Sequence, residues 1–418
     1  MTHSPATLAV PAPPRFTWRR FLGLAGPGIV VMLADTDAGS IVTAAQSGAQ
    51  WGYHLLLLQF VLIPILYIVQ ELTVRLGIVT GEGHAALIKR HFGTFWAWIS
   101  VLTLMVACIG ALLTELSGLA GVGDMFGVPA PITLTLTVTV LTAMAITGNY
   151  LTVERVALAI GGFELAFLFV AWWARPGFGE LATQSLSIPV TDPKYLYLVS
   201  ANIGAVIMPW MVFYQQSAVV EKGLGIRDLR AARLDTALGS VLTQFIMAAV
   251  LISAAAALSH GKSDISLDTV QQIANALTPV LGHQVGRLVF ALGVSGAALV
   301  AAIVVSLTAA RTLGELLGYR YALDAPLHKA PWFYAVYALV LIVAALVVLS
   351  GVNLVSVAVG VQVMNALLLP IVLGFLFLLA RRLPPPYRLK GRGATGVAAV
   401  MIVTVALGLY SGITGLFD

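Results

Sequence analysis

Eleven apolar runs of about twenty residues or more succeed one another along the chain, at roughly 23–49, 53–78, 94–121, 131–148, 154–174, 195–221, 235–258, 284–315, 331–350, 353–380 and 394–416. A run of that length is what a helix needs to cross about 30 Å of hydrocarbon. Within lipid a backbone amide finds no water, so a crossing segment satisfies its hydrogen bonds internally. With 59% hydrophobic and only 10% charged residues over 418 positions, the chain is too apolar for a water-soluble enzyme of this length. The sequence therefore predicts an all-α polytopic membrane protein.

Charge sets the expected orientation. With the N-terminus on the cytoplasmic side, 19 of the 23 Lys and Arg fall in or near cytoplasmic segments, and only Arg175, Lys194, Lys262 and Arg287 do not. That is the positive-inside bias, and it places the N-terminus in and the C-terminus out, in a bacterial inner membrane. The net charge of +5 comes without a concentrated basic face, which argues against a nucleic-acid partner and leaves the bilayer and a transported solute. Nothing in the pattern calls for more than a monomer. The one cysteine, Cys108, excludes an intrachain disulfide and any cysteine-rich metal cage. Residues 1–20 carry PAPP and three arginines without a cleavage site, and read as a disordered cytoplasmic tail before a retained first helix.

Two spans have awkward centres. In the first, Asp35 and Asp37 lie within ADTDAGS. A carboxylate at bilayer depth costs roughly 3 kcal/mol, so it persists where it faces a partner, a wet cavity or a cation. Gly39 lets the chain leave the helix there and frees backbone carbonyls. In the sixth span, Gly204 is followed by Ile207, Met208, Pro209, Trp210 and Met211. Pro209 has no amide hydrogen and blocks regular helix at the preceding turn, exposing carbonyls near Ala205 and Met208. The two interrupted spans are five helices apart, so equivalent members of two five-helix halves run in opposite directions. That is the pattern of an inverted-repeat transporter with a midplane site between paired broken helices. It divides the chain into repeats at 21–174 and 195–381 and an additional helix at 394–416. No phosphate-binding glycine loop or nucleophile elbow occurs in a strand-to-helix context, so an enzyme is not expected. His54, His84, His91, His260, His283 and His328 fall mainly at helix ends or loops without ligand spacing, and no resident cofactor is implied.

GPGIVVMLADTDAGSIVTAAQSGAQWGY, QELTVRLGIVTGEG and GAVIMPWMVFYQQSAVV resemble, in order and spacing, the first, second and sixth helices of the Nramp family of divalent metal transporters, over residues 27 to about 380. The resemblance implies the LeuT-type fold of two inverted five-helix repeats plus an eleventh helix, working by alternating access. It also implies a metal site. Asp37 stands at the family's metal-binding aspartate and Ser40 at its asparagine; Ala205 offers a carbonyl and Met208 a thioether; Gln362, eight residues before Pro370, matches the tenth-helix glutamine. Asp35 and Gln215 are added polar groups that suit an ion's hydration shell.

The departures concern the proton route. Glu115 matches the family's third-helix glutamate, but the neighbouring aspartate position aligns with Leu112, the sixth-helix histidine with Trp210, and the ninth helix from Trp332 to Ser350 holds no ionisable group. These losses resemble the Nramp-related magnesium transporters, and on that basis Mg²⁺ is the expected cargo, carried without protons. Met208 argues for a softer metal. The alternative is a proton-coupled Mn²⁺/Fe²⁺ importer, and a more remote one is a sodium-coupled organic-solute transporter of the same fold. A receptor is disfavoured by the short loops. Blander roles remain for several residues: Glu115 and Glu164 as internally bonded structural groups, Glu71 and Arg75 as a gate or an ion pair, Trp210 as packing, and Glu221 to Arg233 as a solvated linker.

Overall fold

The computed structural model describes residues 26–148, 150–258, 267, 272–274, 283–319 and 325–417; the tail expected at 1–20, His260 and Lys262 lie outside them. The first span is two helices, α1 (Pro27–Asp35) and α2 (Ala38–Trp51), bent by 50° at the break. α3 (Leu56–Thr80) is the second span, and a short α4 (His84–Phe92) leads to α5 (Thr94–Met125) and α6 (Ala130–Thr147). The fifth span is interrupted too: α7 (Tyr150–Gly161), a tight turn at Gly162–Leu165, then α8 (Ala166–Ala174). After a short α9 (Phe178–Ser185), the sixth span comprises α10 (Pro193–Val206) and α11 (Pro209–Glu221). α12 (Leu229–Leu258), α13 (His283–Leu317), α14 (Pro331–Leu349), α15 (Leu354–Ala380) and α16 (Gly391–Phe417) complete the bundle.

Among the described residues ten helices are long and apolar enough to cross a membrane, or eleven with the bent pair counted as one span, which matches the eleven apolar runs. The helices α4 and α9 were not anticipated, because neither is long enough to register as a span. Burial sorts the spans by position. The sixth is 94% buried and so runs through the centre, whereas α6 at 22% and α16 at 28% present Ile132, Leu136, Ile402 and Val403 outward, as lipid-facing helices do.

Helices in lipid gain little from apolar burial against one another, so they associate where small residues allow close approach. At Gly204 a Cβ would lie 1.8 Å from the Gln362 carbonyl oxygen, so α10 and α15 touch backbone to backbone. The start of α1 is capped from a distant part of the chain: Asp235 of α12 accepts hydrogen bonds from the Gly28 amide at 2.7 Å and the Gly26 amide at 3.3 Å. A carboxylate suits that position because the first turn of a helix has unpaired N–H groups and a partial positive charge. The stretch from Glu221 to Arg233 is solvated at Arg227 and Arg230, as the sequence suggested, but its ends are tied to the bundle: Glu221, the last residue of α11, pairs with the buried Arg311 of α13, and Arg233, on the first turns of α12, pairs with Glu71 at 2.7 Å.

α4 is docked rather than loose. His84 is fully buried, with Nδ1 2.8 Å from the Gln216 side-chain oxygen and its ring edge-on to Phe213 at 4.7 Å. Glu315 of α13 accepts from the Ala86 amide at 3.3 Å and the Ser217 hydroxyl at 3.2 Å. Burial pushes the His84 imidazole down to about 4, opposed only in part by the Gln216 bond. The neutral ring therefore stabilises the fold fully above the ordinary histidine value, and that contribution is lost as pH falls from about 6.5 toward 4. At pH 5 the loss is about 2 kcal/mol. Thermal unfolding in detergent at pH 7.5 and 5 checks it: His84→Gln is expected to show a markedly smaller drop than the parent.

Candidate metal centre at the two helix breaks

At the first break Thr36 closes α1, donating through its hydroxyl to the Leu33 carbonyl at 2.8 Å, and Asp37 adopts an extended conformation as the N-cap of α2. One Asp37 carboxyl oxygen accepts from the Ser40 amide at 2.6 Å, a cap that accounts for the restart of the helix. The other oxygen is buried with no hydrogen-bond partner. The aspartate is thus held by its own helix and still has an oxygen to offer.

The second break follows from Pro209. In a continuous helix its amide would bond the Ala205 carbonyl four residues back, and proline has none to give. The Ser40 hydroxyl fills that role, donating to the Ala205 carbonyl oxygen at 3.2 Å and tying one break to the other. Met208 is the extended N-cap of α11. Its carbonyl does not stay free as expected, since the Met211 amide bonds it at 3.2 Å in the first turn of the new helix. The thioether of Met208 is the other group this residue offers, and the Trp210 indole N–H donates to that sulfur at 3.2 Å.

Further carboxyls and amides ring the first break. Glu115 accepts from the Ala38 amide at 3.1 Å and from the Thr114 hydroxyl at 3.0 Å, so it caps α2 from α5. Glu164, on the tight turn of the fifth span, accepts from the Thr36 hydroxyl, and its second oxygen has no partner. Asp35 accepts from Thr243 at 3.5 Å through one oxygen, and the other is likewise unpartnered. Gln362 reaches Gly39: a Cβ there would lie 2.5 Å from the Gln362 side-chain nitrogen. That amide's oxygen accepts from Asn365 at 2.9 Å. Gln215 donates to Thr236 at 2.9 Å, linking α11 to α12, and keeps a buried oxygen free.

The bonds link Asp37, Ser40 and Ala205 directly and set Gln362 and Glu115 against the same turn. Gln215 points to α12 rather than to any of these. Asp35, Asp37, Ser40, Ala205, Met208, Trp210, Gln215, Gln362, Glu115 and Glu164 are all buried. Among the described residues no three His, Cys, Asp or Glu side chains form a cage by themselves, so an ion held here needs the carbonyl, hydroxyl, amide and thioether donors as well. Sequence reasoning missed Thr36, Thr114, Thr243 and Asp235, since a threonine in an apolar helix has no spacing signature and the cap by Asp235 spans 207 residues. It did find the Glu71–Arg75 pair at 2.5 Å, which the fold extends to Arg233 and to the Tyr387 carbonyl.

Two broken helices joined near their centres, inside a bundle of inverted halves, define the architecture of the LeuT-type membrane proteins. Residues 28–414 match the family model described as natural resistance-associated macrophage protein-like, and the chain belongs to that Nramp family. A relative from Mesorhizobium japonicum, named divalent metal cation transporter MntH, is 30% identical over 306 residues, covering 68% of this chain and 65% of its own length. One of the same name from Brucella suis is 27% identical over 287 residues, covering 66% and 63%. The chain therefore spans slightly under two thirds of these relatives. A mutant of the manganese transporter of Eremococcus coleocola superposes with a TM-score of 0.81 at 19% identity, over 98% of this chain and 91% of that one. The nucleobase-cation symporter Mhp1 does so at 0.58 and 15% identity, over 94% and 90%. At such identities the likeness establishes the fold.

Replacing Asp37 with Ala removes the carboxylate that caps α2 through one oxygen and keeps the other buried without a hydrogen-bond partner. Titration of metal into the purified variant is expected to show at least a hundredfold loss of affinity, about 3 kcal/mol. Unchanged metal affinity in this variant would put the site elsewhere.

Proposed function

We propose that this chain carries divalent metal cations of the Mn²⁺ class across the membrane by alternating access at the joined breaks, with protons moving alongside. The observation that carries the reading is the Ser40–Ala205 bridge, which puts an anionic N-cap and a proline-freed carbonyl at one closed centre. A divalent ion leaving water needs an anionic partner and several further oxygens; Asp37, Ser40 and Ala205 offer three oxygen-bearing groups, and Gln362 would add its oxygen only by turning its amide away from Asn365. Oxygen-rich donors suit Mg²⁺ and Mn²⁺ alike. The names carried by the relatives tilt the choice to manganese, and the magnesium preference expected from sequence has no support among them. Magnesium remains the second reading, because Ser40 is a short arm and the Met208 sulfur is already engaged.

Uncoupled transport was expected on the premise that Glu115 is the lone carboxyl of the proton route. The coupled reading is supported instead by further carboxyls at the first break, since Thr36 joins Glu164 to it and Asp35 ends α1 there. Three carboxyls besides Asp37 are thus available to exchange protons as the spans rearrange. The repeats at 21–174 and 195–381 are read as the two moving halves, with the N-terminus inside a bacterial inner membrane.

Proteoliposomes offered Mn²⁺ or Mg²⁺ and loaded with a pH-sensitive dye test both points. Uptake of Mn²⁺ over Mg²⁺, with lumen acidification that scales with uptake and is lost in Glu164→Gln or Glu115→Gln, is the expected result. Mg²⁺ uptake driven by membrane potential alone, about 4.6 kcal/mol per 100 mV for two charges, would restore the uncoupled magnesium reading.

A further inference from the structure

We propose that Trp210 sets the selectivity of this site by occupying the Met208 sulfur, so that the centre discriminates against soft metal ions and admits hard, oxygen-preferring ones. The inference rests on the reading of Met208 as a residue facing the transported ion.

The geometry comes from the second break. Met208 is extended and Pro209 opens α11, so Trp210 stands on the first turn and its indole folds back over the residue two before it. The ring nitrogen lies 3.2 Å from the sulfur, and both side chains are fully buried. An indole N–H is a donor only, and a thioether is a weak acceptor with two lone pairs. A sulfur that accepts a hydrogen bond gives up one lone pair and some of its donor strength. Turning the thioether toward an ion would strip the indole N–H of its acceptor in a place where no water reaches it, and an unsatisfied buried donor is costly. That cost falls on any ion whose binding depends on sulfur. Soft ions such as Cd²⁺ depend on it, whereas Mg²⁺ and, to a lesser degree, Mn²⁺ draw their stabilisation from oxygen.

A packing role for Trp210 would follow ring volume; the selectivity role follows the N–H. Trp210→Phe keeps an aromatic ring and removes the donor. Isothermal titration of Cd²⁺ and of Mg²⁺ into the full-length protein in detergent is the measurement, with Asp37→Ala as the control for the site. In Trp210→Phe the preference for Cd²⁺ over Mg²⁺ is expected to rise about tenfold, equivalent to about 1.4 kcal/mol. Met208→Leu should then cost about tenfold more Cd²⁺ affinity in the Trp210→Phe background than in the parent, which is the coupling that a shared hydrogen bond demands. If the Phe variant does not fold, Trp210→Leu also lacks any donor and is read in the same way. An unchanged Cd²⁺/Mg²⁺ preference, or equal effects of Met208→Leu in both backgrounds, overturns the inference. If Asp37→Ala also binds Cd²⁺ as the parent does, the metal-centre reading has failed and this one falls with it; if Asp37→Ala abolishes binding while the Trp210 variants leave the preference unchanged, this one falls alone.

Discussion

The centre of this protein depends on a hydrogen bond that Pro209 cannot make. Without an amide at residue 209, the Ala205 carbonyl has no helical partner, and the Ser40 hydroxyl takes its place from the other broken span. Remove that requirement and α10 and α11 could join as one helix, with no carbonyl turned toward α2. The first break is the complement: Asp37 restarts α2 by capping Ser40 and in doing so presents its second oxygen. The first break is stabilised locally by the Asp37 cap, the second by no side-chain cap of its own, and the two are coupled by the Ser40 hydroxyl.

Close approach between helices is what makes that coupling possible. Gly204 brings the α10 backbone onto Gln362 of α15, and Gly39 accommodates the amide of the same glutamine beside the first break. A single residue of α15 is thereby pinned against both interrupted spans. At the far end of α1, Asp235 fixes the start of the helix from α12, so the short α1 is held at one end by a distant carboxylate and at the other by Thr36. Any motion of α1 would have to break or carry along the Asp235 contact.

The buried carboxyls have separate duties despite their nearness. Glu115 completes the amides at the start of α2, which is the structural role the sequence left open for it. Glu164 reaches Thr36 because the fifth span is itself interrupted at Gly162–Leu165, a third irregularity that the apolar pattern does not announce. Together with Asp35 they place several acidic groups around one turn of backbone, an expensive arrangement in lipid that function must justify.

By itself the sequence determined the membrane-spanning helices, both main breaks and Asp37 as the residue to watch, while Ser40, the Met208 thioether and Gln362 came forward only through the resemblance to a known family. The reason is that hydrocarbon imposes helix length directly on the chain, and that proline, glycine and aspartate interrupt such runs conspicuously. Only the tertiary structure decided what those residues bond. That Ser40 serves Ala205, that Trp210 binds Met208 rather than simply filling space, that Gln215 belongs to Thr236 and that Asp235 caps α1 are facts of helix packing. Most of them join residues far apart in sequence, where spacing carries no signal, and the Trp210–Met208 contact depends on the extended backbone at the break. The docked His84 makes the same point: its isolation in sequence suggested a loop residue, and burial beneath α11 made it part of the core.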